Sequence, residues 1–565
     1  MKIMLIYPRC LEPRSHELFS EDAGVTPIGL YYLGALLKSR GHQVEILNWY
    51  QLEQTDRDIR DMLLEKNPDL VGFSIVNANR LGATDTAALV KEILPGTVTV
   101  LGGIGATFLW EHLLKHYPQI DYVLLGEGEF SLLQLVSRLE SRDHSNLEDL
   151  KGLAFRRGEE TVCTGFPEPI QDLDQLPSPA RYFTFQHLVS SRGCPSNCSF
   201  CGSPEFWGRK VRFHSPAYFV DMLQELYKKG VTFFFFSDDT FTLKPERVIE
   251  ICRLIINRGL KISWFAISRV NCVDEEMLTW MRRAGCIQIS YGIESGSPKI
   301  RKALNKKTGN QEIQTAFEQT VACGILARAY FIYGSPGETR ETIRESMDLM
   351  ERIKPLSAVF YILEMFPGTA LYRELQQKST LTDDFWLEKV EHIKYFETDP
   401  YMTPEMVLEF GRMLRTCYYQ TLPRAAREIK LKDEPGLYPL HADFLSRLGM
   451  TFSHGDYSAI QEIPDKEKTA ELLFEKSLAW YPNERAYLGL SIIRQKQGRH
   501  RQAYQCLGQG LKHFPGSENL AACQCISCMN LGLFQEALEH TDRFPDSSQM
   551  QQFRQACVQA LAGRT

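Results

Sequence analysis

Short apolar runs alternate with stretches of helical spacing along the first two thirds of the chain. Lys2–Tyr7, Val44–Asn48, Leu70–Ile75, Val98–Leu101 and Tyr122–Leu125 are each bounded by polar or turn residues. That is the pattern of strands buried on both faces. Leu30, Leu33, Leu36 and Leu37, closed by Gly41, predict a helix over 27–40. Further helices are predicted over 56–66, 83–94, 107–117 and 129–140. Such alternation means a parallel doubly wound sheet over residues 1–145, with ligands taken at the carboxyl ends of its strands. Ser74, Gly102, Gly103, Gly126 and Glu127 stand at those ends, where glycine lets a flat ligand approach the backbone.

Residues 146–185 read as a linker, with a hairpin at 151–163 around Arg157-Gly158 and an extended run marked by Pro167, Pro169, Pro177 and Pro179. Alternation then resumes over 186–390. Strands are predicted at 187–191, 232–236, 262–268, 287–292, 326–333 and 357–365. Helices are predicted near 215–229, 244–258, 274–284, 309–323 and 338–353. Six such units predict an incomplete (β/α)6 barrel of TIM type, with chemistry at the strands' carboxyl ends. The unusual residues gather there: Ser237-Asp238-Asp239-Thr240, Ser268-Arg269, Glu294-Ser295-Gly296, and Gly334-Ser335-Pro336-Gly337-Glu338. Asp238 and Asp239 also read as helix caps or solvated carboxylates, Arg269 as an ion-pair partner, and Gly334–Glu338 as a turn.

From 391 the pattern is helical throughout. Residues 391–450 form an extension containing a helix over 404–430. Over 451–565 a repeat emerges, with Ala470, Ala503 and Ala537 recurring at near-equal spacing and Gly498 and Gly532 likewise. This spacing resembles tetratricopeptide repeats, in degenerate copies. Such an array binds a protein partner or simply caps the barrel.

The bulk numbers exclude more than they assign. With 565 residues, several domains are expected. A net charge of −6 gives no nucleic-acid signal. No apolar run reaches the ~18 residues of a membrane span, and the N-terminus is broken by Pro8 too early for a signal peptide. Fifteen cysteines, mostly scattered, are not a secreted disulfide framework, so a cytoplasmic protein is expected. Cys252, Cys272, Cys286 and Cys323 lack ligand spacing and read as core. Cys523, Cys525 and Cys528 read as packing in the repeats or, alternatively, as an auxiliary cluster.

Cys194, Cys198 and Cys201 are different. They form C-x3-C-x2-C in one loop, Ser-Arg-Gly-Cys-Pro-Ser-Asn-Cys-Ser-Phe-Cys. Three close thiolates suit a soft metal centre: an iron–sulfur cluster, or zinc if His214 supplies a fourth ligand. The pattern resembles the signature of the radical S-adenosylmethionine (SAM) enzymes. That resemblance implies a 4Fe-4S cluster on the three cysteines, with its fourth iron free for SAM. It implies Phe200 near the adenine, and Ser237, Asp238, Arg269, Glu294 and Arg328 among SAM contacts. It also implies a one-electron donor such as flavodoxin or ferredoxin.

Leu70-Val-Gly-Phe-Ser74 followed by Val100-Leu-Gly-Gly103 resembles the cobalamin-binding domain of B12-dependent enzymes. There the serine and paired glycines line the slot for the nucleotide tail. The family's cobalt-ligating Asp-x-His-x-x-Gly is missing, and His16 is out of frame. Together the two resemblances imply a B12-dependent radical SAM methyltransferase acting on a carbon of its substrate. A ring-forming radical enzyme and a non-catalytic scaffold are the alternatives.

Overall fold

The computed structural model describes residues 1–10, 24–50, 55–142, 146–379 and 381–562, and His16 lies outside them. The first sheet contains β1 (Lys2–Tyr7), β2 (Gln43–Asn48), β3 (Leu70–Ser74), β4 (Val98–Gly102), β5 (Tyr122–Leu124), β6 (Leu153–Arg157) and β7 (Glu160–Cys163). Their order is β2-β1-β3-β4-β5-β6-β7. The first five run parallel. β1 lies between β2 and β3, so the winding direction reverses beside it, and the carboxyl ends of β1 and β3 form the switch point where such sheets take ligands. The connecting helices are α1 (Ile28–Ser39), α2 (Asp56–Lys66), α3 (Arg80–Ile93), α4 (Ile104–His116) and α5 (Gly128–Glu140). Separate apolar clusters cover the two faces of the sheet.

The hairpin assigned to the linker is not a connector. β6 pairs antiparallel with β5, and β7 with β6, so the first sheet runs on to Cys163. Residues 164–186 then lead into the second unit.

There, β8 (His187–Leu188) is followed by β9 (Ser191–Arg192), which pairs with β10 (Arg212–Phe213) as a two-stranded ribbon. The expected single strand over 187–191 is thus broken. A buried carboxylate binds the backbone at Ser190 and turns it off the sheet. β11 (Phe233–Phe236), β12 (Ser263–Ser268), β13 (Cys286–Glu294), β14 (Leu326–Tyr333) and β15 (Ser357–Ile362) complete an all-parallel sheet of order β15-β14-β13-β12-β11-β8. Inward residues from β8 to β14 line one shared cavity, as they can only if the sheet curves into an incomplete barrel. Its helices are α6 (Ser203–Trp207), α7 (Pro216–Lys228), α8 (Pro245–Asn257), α9 (Glu275–Arg283), α10 (Pro298–Ala303), α11 (Asn310–Ala322) and α12 (Arg340–Ile353). The predicted strand 357–365 is interrupted at Leu363, beyond which β16 (Glu364–Met365) pairs with β17 (Ile393–Lys394) across α13 (Ala370–Lys378).

The remainder is helical: α14 (Pro404–Arg427), α15 (Tyr438–Ser453), α16 (Asp456–Ala459), α17 (Lys466–Trp480), α18 (Glu484–Lys496), α19 (His500–His513), α20 (Glu518–Asn530), α21 (Phe534–Thr541) and α22 (Ser548–Ala562). Ala470, Ala503 and Ala537 are all fully buried, one in each of α17, α19 and α21. Gly498 and Gly532 take positive φ in the turns before α19 and α21. Cys525 and Cys528 are buried beside Cys557 and Ala537, as packing residues should be. No helix among the described residues is long and apolar enough to cross a membrane.

Candidate active site

The cysteine loop hangs from the β9–β10 ribbon. Gly193, at φ +99°, swings the chain off β9, a conformation that side chains resist. The loop is pinned at its far side: Ser199 N donates to Leu304 O (3.0 Å), and Leu371 N donates to Ser199 O (3.0 Å). Cys194 and Cys198 are buried and Cys201 half-buried. Burial pushes the Cys198 thiol up, against the cations of Lys306 and Arg269. It pushes Cys201 up to about 12. Both would be inert thiols unless a metal displaced their protons, and soft thiolate donors suit an iron–sulfur cluster. His214 does not serve as a fourth ligand. Its ring is held between Tyr32 Oη (2.8 Å) and Asp174 Oδ1 (2.9 Å).

Three strand ends face this loop. Glu294 ends β13 in the left-handed region, at φ +65°, where a register shift separates it from Gly292. Its Oε1 lies 2.7 Å from Lys306 Nζ, and both side chains are buried. A Cβ on Gly292 would overlap both atoms, so glycine is required there. Arg269, after β12, makes no ion pair among the described residues, so it stands as a free cation near Cys198. Asp239, after β11, accepts from Ser203 Oγ (2.6 Å). Cys194 Sγ is 3.8 Å from Thr240 Oγ1.

Other expected residues are placed differently. Asp238 is no open ligand. Fully buried, it accepts from Ser190 N (3.0 Å), Ser190 Oγ (2.9 Å) and Ser191 Oγ, tying β11 to the strand that leads to the cysteines. Arg328 does not meet Glu294. It pairs in register with Ser290, while Glu294 pairs with Phe331, roughly 10 Å further along the strand at ~3.3 Å per residue. Its Nε donates to Ser357 Oγ (2.9 Å), and it lines the barrel cavity without an ion pair among the described residues. Phe200 packs on the apolar cluster that joins the first domain to Leu304 and Leu371.

The cavity measures about 340 Å³. Phe235, Phe265 and Tyr330 supply an aromatic wall; Gln288, Ser290 and Arg328 supply polar groups, and Ser237 lies at its rim, 3.2 Å from His187 Nδ1. Thr26, Pro27 and Ile28 close it from the first domain. Sequence reasoning missed Lys306, Gln288 and Ser290. A lysine in a basic loop and two polar residues inside a strand carry no local signal of a shared site.

At the first domain's strand ends, the glycines do a different job from the one expected. A Cβ on Gly103 would lie 2.7 Å from Ile75 O, and one on Gly105 would lie 2.8 Å from the Val76 carbonyl carbon. They let the loop after β3 cross the head of α4. Gly102 faces open space, with only Leu124 within van der Waals range of a Cβ, and Ser74 is half-buried beside it. Gly126 lies under Phe166 and Pro167. Glu127 is no ligand residue: it accepts from Ile170 N (2.8 Å) and pairs with Arg212 of β10. Beside the crevice, Asn77 Oδ1, Glu391 Oε1 and His392 Nδ1 are buried without a partner among the described residues. Unsatisfied polar atoms of this kind await a polar ligand, and with the open strand end at Gly102 they fit the amide-rich edge of a corrinoid.

An open parallel barrel with three cysteines looped over its strand ends defines a radical SAM enzyme. Residues 188–350 match the radical SAM superfamily model. Residues 23–136 match the B12 binding domain. The chain is 32% identical to an uncharacterised methyltransferase of Pyrococcus horikoshii over 74% of its own length and 92% of that protein's. It is 30% identical to the anaerobic magnesium-protoporphyrin IX monomethyl ester cyclase of Cereibacter sphaeroides over 73% and 68%. The fold resembles the radical SAM methyltransferase TsrM of Kitasatospora setae, solved with tryptophan substrate and a SAM analogue, at a TM-score of 0.59 and 17% identity, covering 89% of this chain and 99% of that one. The protein belongs to the radical SAM family whose members carry an N-terminal cobalamin-binding domain. Its cofactors are a 4Fe-4S cluster, SAM and cobalamin.

Proposed function

We propose that the protein transfers a methyl group from SAM to a carbon of an acceptor bound in the barrel cavity. The observation that carries this reading is the cavity's double wall: the inner barrel face on one side, Thr26–Ile28 of the cobalamin-binding domain on the other. An acceptor there lies within reach of both domains. Two of the proteins it resembles are named as methyltransferases. When bound, the cluster supplies the electron that cleaves SAM, and the corrinoid supplies a methyl carrier.

The chain's own residues have separate tasks in this proposal. Cys194, Cys198 and Cys201 hold the cluster. Glu294, fixed by Lys306, receives the SAM ammonium, with Asp239 as a second acceptor. Arg269 meets the SAM carboxylate, and Ser237 and Phe200 border the nucleoside. Ser74, Gly102 and Asn77 border the corrinoid. The aromatic wall and Arg328, without an ion pair among the described residues, suit an acceptor with a flat apolar part and one acidic group. A flavodoxin- or ferredoxin-like donor in the cytoplasm reduces the enzyme, and the helical tail offers a repeat surface to a protein partner.

With methyl-labelled SAM, the label should reach product. Product formed without label would refute methyl transfer and favour radical chemistry of the ring-forming kind named for the Cereibacter sphaeroides relative. Cys198→Ala should abolish 5′-deoxyadenosine release, and wild-type release would refute the cluster assignment. Arg328→Met should raise KM for the acceptor about tenfold, the loss of one charged contact, while acceptor-independent SAM cleavage is unchanged.

A further inference from the structure

We infer that His112, His116 and Asp384 form a binding site for one divalent transition-metal ion of the zinc class, remote from the cysteine loop. His112 and His116 are four residues apart on α4, so both rings leave the same face. Their centroids are 4.8 Å apart. Asp384, in the 383–387 turn that follows α13, brings Oδ1 to 3.0 Å from His116 Nε2 and 3.8 Å from His112 Nδ1. All three ligand atoms lie within 4.8 Å of one another. A tetrahedral zinc ion with bonds of ~2.0–2.1 Å sets its ligand atoms roughly 3.3 Å apart. The two measured separations bracket that value.

A hydrogen bond from His116 to Asp384 would by itself explain two of the three residues. It does not explain His112. That residue is only 5% exposed, and neither of its ring nitrogens has a hydrogen-bond partner among the described residues. A buried, unpartnered imidazole is costly, and a cation at Nδ1, the nitrogen that faces Asp384, gives one of the two a partner. A neutral His112 imidazole keeps a lone pair on one ring nitrogen to donate. The groups facing it are His116, Asp383, Asp384 and Arg80; of the two carboxylates, Asp383 is already engaged by Tyr372 Oη and Gln376 Nε2. Asp384 is 58% exposed on its side chain, so water can complete the coordination. Two imidazoles and a carboxylate favour zinc, nickel or copper over magnesium or calcium.

The site joins two domains. α4 starts at the crevice of the cobalamin-binding domain, and the 383–387 turn gives its Trp386 carbonyl to Arg80 at the head of α3 (3.1 Å). An ion there ties α4 to the turn that Arg80 already holds to α3.

The test uses holoenzyme loaded with cluster and corrinoid, so that the cysteines are already occupied. After dialysis against EDTA it is titrated with zinc chloride, and bound zinc is counted by elemental mass spectrometry alongside iron and cobalt. Wild type should take up one zinc per chain and melt at a higher temperature with it. His116→Gln and Asp384→Asn should each weaken uptake at least about 100-fold, more than loss of an outer partner does, with iron and cobalt content unchanged as proof of folding. Failure of wild type to bind zinc, or equal uptake by both variants, overturns the assignment.

Discussion

Gly292 is held to a hydrogen atom by the pair that follows it. Glu294 Oε1 and Lys306 Nζ fill the space a side chain would need. The left-handed backbone at Glu294 costs on the order of 1 to 3 kcal/mol, and the strand tolerates it because the carboxylate reaches the lysine. Gly292→Ala should therefore move Glu294 without touching the cysteines. The expected result is unchanged iron content with SAM cleavage slowed at least about tenfold, since displacements near 1 Å are enough to do this. Iron analysis together with 5′-deoxyadenosine release checks it. The same scale shows what local reading misses. Cys194, Cys198 and Cys201 are legible because their ligand spacing lies within eight residues. Lys306 is not, because only the register shift in β13 brings Glu294 to it. Asp238 stood in the right place along the chain but faces Ser190 and Ser191, a direction that no spacing rule reports.

At the scale of elements, the loop from β14 to α12 is organised by one carboxylate. Glu338 accepts from Ser335 N (3.2 Å) and from Gly334 N, while its other oxygen is buried without a partner among the described residues. Burial pushes it up to about 7. A carboxyl whose folded pKa lies above its unfolded value stabilises the fold in its protonated form. Its contribution is complete below about pH 4.5 and is lost as the pH rises through 7. Glu338→Gln removes this dependence. The stability difference between wild type and variant should thus fall by at most about 3 kcal/mol from pH 4.5 to 8, read from denaturant unfolding at each pH. Element boundaries were mostly legible: Lys2–Tyr7 and Asp56–Lys66 end where the apolar periodicity ends. The hairpin around Arg157-Gly158 was legible as a hairpin, since its turn is local. Its pairing with β5 was not, because strand partners are chosen by tertiary packing.

Across the whole molecule, the two α/β units are riveted by buried charge. Arg192 of the ribbon lies 2.5 Å from Glu129 and 3.7 Å from Glu127, and Arg212 also pairs with Glu127. Arg192 also stacks over Tyr32 and Trp207. Arg192→Met strips a buried carboxylate of its partner and should cost about 3 to 5 kcal/mol in unfolding free energy. Since Arg192 is two residues from Cys194, cobalamin and cluster retention should suffer together, which absorbance of the purified variant checks.

One apolar cluster passes without a break from Phe236 and Tyr291 in the barrel, through Leu422 and Phe444, to Phe474, Leu490 and Met550 in the last helices. The C-terminal third is therefore no trailer hitched to a finished catalyst. Clipping the polypeptide ahead of Lys466 would unsheathe an oily flank that the remaining helices have no means to hide, and the shortened enzyme would clump before it could turn over.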